Sequence, residues 1–376
     1  ILMPFINLPR FSFVLFFLIS WVGVSIAQDC DSLKISSISN PGPYKVKKIL
    51  EKDGLRDGPD YYGATLYYPE DATPPFASIV IVPGFWSYEP SIQAWGPFLA
   101  SHGIVTMTIG TNILSDFPEQ RALALLDAAE TIKQENIRES SPLYGSLDPT
   151  KIAVSGWSMG GGGAQMAAVL DTTLKAVMAL APWQNTQLTE TAFNHPVPTL
   201  IFSGEKDPTA PASMHATAHY NFTPQTTSKL LFEIKNGNHS VANTPEGGNG
   251  DVGRIAIAWL KNFLVGQPCY CPLLLDPPVS ASKYVTNLHC SSIASVSRPD
   301  GKDDFSPQIF PNPVNSSLTI GGKFSGDVQY EIISLYGQIL RRGIINAEGR
   351  TINVLDLTSN IYILRLGNKS FKFVKI

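Results

Sequence analysis

From about residue 61 to residue 265, short apolar runs alternate with stretches whose apolar residues recur every three or four positions. Residues 64–68 are β-branched and aromatic, and 78–82 and 104–109 are apolar almost throughout. Residues 118–134 carry Ala, Leu and Ile at helical spacing. A short strand is predicted at 152–154, then a glycine turn and a helix over 164–170. Further strands are predicted at 176–180, 199–202 and 230–234, and an amphipathic helix over 254–264. Strands that are apolar without alternation are buried on both faces, which a parallel sheet covered by helices provides. The expected class is α/β with a mostly parallel central sheet.

The pattern changes after Cys290. Residues 291–306 are polar and aperiodic, as a linker is. Short strands with turns between them are then predicted at 317–320, 329–336, 339–345, 351–355, 361–366 and 371–374. They suggest a small all-β, sandwich-like domain over 307–376. At the other end, Arg10 precedes an apolar run over 11–24 that closes on Ser25-Ile-Ala27. A charged start, an apolar core and a small-x-small site describe a signal peptide over 1–27, so residues 28–290 form the expected α/β domain of a secreted protein. The alternative, a membrane anchor, would want a longer run and a basic cluster after it.

Composition narrows the picture little. With 28 Lys and Arg against 31 Asp and Glu, the net charge is −3, and no basic run appears. Nucleic-acid binding is therefore not expected. The four cysteines, Cys30, Cys269, Cys271 and Cys290, suggest disulfides in an exported chain. The C-x-C at 269–271 lacks the His or Asp spacing of a metal site, so no metal is expected.

The candidate chemistry begins at Gly156-Trp-Ser158-Met-Gly160, between a predicted strand and a predicted helix. A serine at the tip of such a turn has a strained backbone and tolerates only small neighbours. Its hydroxyl is a poor nucleophile until a base takes the proton, and the base requires an anionic partner. His239 lies just past the strand 230–234; Glu205 and Asp207 lie just past the strand 199–202. The order Ser158, Asp207, His239 is that of α/β-hydrolases, and all three fall at carboxyl ends of strands, where open α/β sheets place their sites. Glu205 is the rival acid. Two backbone donors for an oxyanion are expected, the N–H of Met159 and that of Phe85 in Pro83-Gly84-Phe85-Trp86.

These residues sit within longer matching stretches. Tyr62-Gly-Ala-Thr-Leu-Tyr-Tyr-Pro69, Ile81-Val-Pro-Gly-Phe85, Gly156-Trp-Ser-Met-Gly-Gly-Gly-Gly163, Ala181-Pro-Trp183, Asp207-Pro-Thr-Ala-Pro211 and His239-Ser240 resemble the bacterial cutinase and poly(ethylene terephthalate) hydrolase family. The likeness runs over about 43–290. It implies a monomeric, lid-free α/β-hydrolase that uses no cofactor, with Ser158 as nucleophile, His239 as base and Asp207, rather than Glu205, as its partner. It implies an oxyanion hole at Phe85 and Met159. Phe85 and Trp183 would flank an aromatic acyl group above Met159, and Trp157, Thr209 and His215 would border the groove. Trp86 is bulkier than the family's usual residue and would narrow it. The likeness further implies a disulfide between Cys271 and Cys290, which leaves Cys30 and Cys269 to pair.

Phe310-Pro-Asn-Pro313 and Ile333-Ser-Leu-Tyr-Gly337 resemble the C-terminal sorting domain of the type IX secretion system of Bacteroidetes, whose partner is the secretion machinery. The alternative for this tail is a carbohydrate- or surface-binding module, which would carry more exposed aromatics. The expected function is a secreted serine esterase cleaving cutin-like or terephthalate polyesters. Small-ester or acylglycerol hydrolysis is the second reading, and a non-catalytic surface protein of the same fold is the third.

Overall fold

The two apolar runs at 78–82 and 104–109 lie side by side in the middle of a nine-stranded sheet. A computed structural model of the chain describes residues 35–38, 40–184, 193–290, 307–321, 327–334, 338–346, 350–366 and 369–376. The expected signal peptide (1–27), Cys30 and the expected linker (291–306) lie outside the described residues. The chain folds as two compact units that divide after Leu288.

In the first unit the strands are β1 (Val46–Leu50), β2 (Tyr62–Pro69), β3 (Phe76–Val82), β4 (Val105–Gly110), β5 (Leu147–Trp157), β6 (Ala176–Leu180), β7 (Thr199–Gly204), β8 (Lys229–Ile234) and β9 (Ala281–Thr286). Their spatial order is β1-β2-β4-β3-β5-β6-β7-β8-β9. The six from β4 to β8 run parallel; β1, β2 and β9 are antiparallel additions at the two ends. Every residue of β3 is buried, because the sheet is covered on both faces. Ile79 and Ile81 pack with Trp95, Phe98 and Leu99 of α1 (Trp95–Ser101) and with Ile255 and Trp259 of α5 (Asp251–Leu260). Val80 and Val82 pack the opposite way, against Ala122, Leu125 and Ile132 of α2 (Pro118–Glu135) and Ala164 and Ala167 of α3 (Met159–Leu170). One strand thus feeds two cores, and each fully buried aliphatic side chain contributes about 1.5–3 kcal/mol by leaving water.

The structure departs from the sequence reading at several elements. The helix expected to start at 164 starts at Met159, because the glycines at 160–163, which lower helix propensity, are held there by close packing: a Cβ on any of them would lie 2.9 Å or less from a neighbouring atom. The helix expected over 254–264 ends at Leu260 and continues as one wider π turn, Lys261–Val265. The antiparallel strands β1 and β9 and the short helices α1 and α4 (Ala216–Phe222) were not expected.

The second unit holds a three-stranded sheet, Gln308–Phe310, Ser317–Gly321 and Thr351–Asn353, and a four-stranded sheet, Val328–Ser334, Ile339–Ile345, Asn360–Leu366 and Lys369–Lys375. Leu318, Ile320, Ile332, Val354, Leu364 and Phe373 form its buried core. Cys271 and Cys290 are disulfide-bonded. Cys269 is buried and free, so the second pairing expected with Cys30 is not found among the described residues. No described helix is long and apolar enough to cross a membrane.

Candidate active site

The parallel strands point their carboxyl ends at one rim of the sheet, and the chemistry-bearing residues collect there. Ser158 follows β5 directly. Its backbone stands at φ 56°, ψ −119°, a conformation that costs an ordinary residue roughly 1–3 kcal/mol. The surroundings enforce it. The Ser158 N–H donates to Leu180 O at 2.8 Å, and Ser158 O accepts from the Gly161 and Trp183 amides at 2.9 Å each. A Cβ on Gly156 would lie 2.2 Å from Gly160 O, and one on Gly160 would lie 2.6 Å from both Val82 O and Pro83 O. Strand and helix approach so closely at the elbow that only glycine fits.

His239 comes from the loop after β8. Its Nε2 is 2.9 Å from Ser158 Oγ, and its Nδ1 is 2.7 Å from Asp207 Oδ2. The carboxylate can only accept, so Nδ1 carries the proton and Nε2 is left to accept from the serine hydroxyl. Asp207, after β7, is buried, and its Oδ1 accepts the Thr209 and Ala210 amides at 2.8 Å each. Burial alone would raise this carboxyl. The His239 and Ala210 hydrogen bonds, with that of Thr209, outweigh it and hold the group below the usual carboxylate range. Glu205 is exposed and turned away; its Oε2 accepts the Asn236 amide at 2.7 Å. Trp157 braces the histidine loop. Its indole N–H donates to His239 O at 2.9 Å, and the two rings are 5.2 Å apart.

Met159 directly follows Ser158, and Phe85 lies in the loop after β3, next to Gly84. A Cβ on Gly84 would lie 2.8 Å from Ser158 Cβ, so the loop carrying Phe85 is pressed against the Ser158 side chain. Neither the Phe85 nor the Met159 amide donates to another group among the described residues. Trp86, at φ 51° and 66% exposed, meets Phe85 edge-on at 6.2 Å. Trp183 stacks on His215 at 5.8 Å, and His215 Nδ1 accepts from the Gln184 amide at 3.4 Å. Burial lowers the His215 pKa, and nearby His239 adds to this while Asp207 opposes it. Thr209 is exposed and its amide is committed to Asp207. Sequence reading missed Arg121, which is fully buried beneath the Phe85 loop. The signal was available: Arg121 shares a helical stripe with the apolar Leu125, Ala128 and Ile132, where a solvated charge does not belong.

Among the described residues no cluster of His, Cys, Asp or Glu is placed to hold a metal ion.

Comparison with known proteins agrees with this architecture. Residues 308–376 match the secretion system C-terminal sorting domain, which makes the protein an extracellular or cell-surface one. Cutinase 2 of Thermobifida cellulosilytica is 34% identical over 238 residues, covering 63% of this chain and 86% of that protein. A bis(hydroxyethyl) terephthalate hydrolase of Streptomyces coelicolor is 35% identical over 239 residues, 62% of this chain and 72% of that one. Cutinase cut1 of Thermobifida fusca is 34% identical over 238 residues, 63% and 70%. Residues 33–291, well over half of the sequence, match the PET hydrolase-like family, and the chain belongs to that family.

Proposed function

We propose that this chain, a carboxylic ester hydrolase of the cutinase type, cleaves the ester bonds of cutin-like or terephthalate polyesters through an acyl-enzyme on Ser158. The observation that carries the reading is the unbroken line from Ser158 Oγ through His239 to buried Asp207, at 2.9 and 2.7 Å. His239 Nε2 takes the hydroxyl proton as Oγ attacks the ester carbonyl, and returns it to the departing alcohol. Asp207 holds the imidazole in the right tautomer and stabilises its charged form. The Phe85 and Met159 amides receive the negative charge that develops on the acyl oxygen. Water activated by His239 then releases the acid. Phe85 and Trp183 offer aromatic faces to a flat acyl group, with Trp157 and Thr209 along the groove.

An extended polymer rather than a small ester is supported by the rim itself. Phe85, Tyr88, Ile113 and Met214 are all exposed, in loops after β3, β4 and β7 at the edge where Ser158 follows β5. Isolated exposed apolar residues mean little, but a cluster beside a reactive serine suits a hydrophobic substrate. Trp86 supports the competing small-ester reading, because it stands beside Phe85 and narrows the approach. Amorphous terephthalate film decides between them. Aromatic acids released by the wild type and not by Ser158→Ala establish polyester hydrolysis; cleavage of soluble esters alone leaves the small-ester reading. Trp86→Ala is expected to raise film release about two- to fivefold relative to soluble-ester turnover, on the order of one removed contact. The sorting domain would engage the secretion machinery and be removed on export, which the mass of the secreted protein tests.

A further inference from the structure

Arg121 lies in the first turn of α2 with no solvent exposure. Its Nη1 donates to Pro83 O at 2.8 Å, its Nη2 to Leu114 O at 3.1 Å and its Nε to Asp116 O at 3.0 Å. All three partners are backbone carbonyls, and no carboxylate is ion-paired with it among the described residues. Burial pulls its pKa down to about 10, with Asp116 opposing the shift, so it is charged at neutral pH. Burying an unpaired cation is costly, and a plain staple between helix and loop could use a neutral amide instead. The use of a guanidinium at this place calls for a reason in the chemistry.

The carbonyls it holds tie down the chain on both sides of Phe85. Pro83 precedes Gly84 and Phe85 on one side. On the other, Leu114 O accepts the Trp86 N–H at 2.9 Å, so Arg121 reaches Trp86 through one shared acceptor. Trp86 has φ 51°, a conformation that a tryptophan keeps only where its surroundings over-determine it. The loop is confined from the opposite side as well, by Ser158 against Gly84 and by Gly160 against Pro83 O. Phe85 therefore sits in a turn clamped between the nucleophile elbow and one guanidinium.

We propose that Arg121 is the positioning residue of the oxyanion hole: its fork fixes the Pro83 and Leu114 carbonyls so that the Phe85 N–H points at the acyl oxygen, and its unpaired charge favours the anion formed there. The proposal rests on Ser158 as nucleophile and Phe85 as donor. An interaction that matters only once the oxyanion develops lowers kcat and leaves KM nearly unchanged.

Arg121→Lys keeps the charge but cannot span three carbonyls; Arg121→Met loses both. With active sites counted by the stoichiometry of organophosphate labelling, kcat per site on a soluble nitrophenyl ester is expected to fall about 100-fold in the second, the lower end of what one lost oxyanion donor costs, and about 10-fold in the first, which keeps the charge. KM should stay within about threefold. Affinity for a boronic acid, which forms a tetrahedral anion on the serine, should fall with kcat. Affinity for a neutral amide analogue of the substrate should not. A structural staple alone would lower Tm and the number of titratable sites, with kcat per site and boronate affinity unchanged in both variants; that result overturns the proposal. Should Arg121→Met fail to fold, Arg121→Lys carries the same comparison. Ester turnover surviving in Ser158→Ala would instead overturn the reading beneath it.

Discussion

Asp207→Asn is expected to lower kcat on a soluble nitrophenyl ester by about 10³- to 10⁴-fold, with the fold intact. The reason is directional. Asp207 Oδ1 accepts two backbone amides, from Thr209 and Ala210, while Oδ2 faces His239 Nδ1. An asparagine here must keep its carbonyl oxygen on the two amides, so its NH₂ group turns to the histidine. A donor facing Nδ1 drives the proton to Nε2, which then donates toward Ser158 Oγ and cannot accept from it. The base is lost without any loss of packing. Ser158→Ala is expected to remove more, on the order of 10⁶ in kcat, since no nucleophile remains. Glu205→Gln is the control: its contact is one accepted amide from Asn236, which the amide oxygen preserves, and its activity should stay within about threefold. Equal losses in Asp207→Asn and Glu205→Gln, read from initial rates on the soluble ester, would reject the geometry as the basis of catalysis.

The parts of this site that were legible in the sequence are those fixed by backbone requirements. The Gly156-Trp-Ser-Met-Gly160 turn is readable because glycine is the only solution where a Cβ would lie 2.2 Å from a carbonyl. His239 and Asp207 are readable because both follow apolar strand runs directly. What sequence reading missed depends on partners remote along the chain. The apolar stripe of α2 marks Arg121 as buried, but what it holds is hidden until Pro83 and Leu114 are brought to it, 38 and 7 residues away along the chain. The strands β1 and β9 are at the sheet's ends with mostly half-exposed or exposed residues, so they lack the continuous apolar run that marks the central strands. The same limit applied to the start of α3, where glycines chosen for close contact mask a helix.

Acid is expected to destabilise the catalytic unit well above the pH at which carboxylates titrate. Two histidines are buried without the partners a charged ring would require. His195 Nε2 meets Gln165 Oε1 at 2.8 Å, but Nδ1 has no hydrogen-bond partner among the described residues. His219 is fully buried, edge-on to Phe193 at 4.6 Å, and neither ring nitrogen has a partner there. Burial pushes His195 down to about 4 and His219 down to about 3. A histidine whose pKa is lower in the folded than in the unfolded chain takes up its proton first on unfolding. Stability is therefore unaffected above the unfolded value of about 6.5 and falls as pH drops from there toward the folded values. Each such group contributes a slope of about 1.4 kcal/mol per pH unit, so the pair gives about 2.7 kcal/mol per unit between roughly pH 6 and 4. Against a typical total of about 5–15 kcal/mol, two units are enough to approach unfolding. Asp207 acts in a separate window. Its carboxyl is held low, so the stability it contributes is lost only as pH falls through the carboxylate range. His219→Leu removes one buried titrating ring and should roughly halve the slope, at a cost near pH 8 of about 1 kcal/mol for the changed shape. Thermal melts of the wild type and His219→Leu from pH 8 to 4.5 test this directly. A wild-type Tm that stays flat to pH 4.5 would mean that these rings find a proton partner in the fold, whereas a steep fall shared equally by the variant would assign the acid sensitivity to groups other than His219.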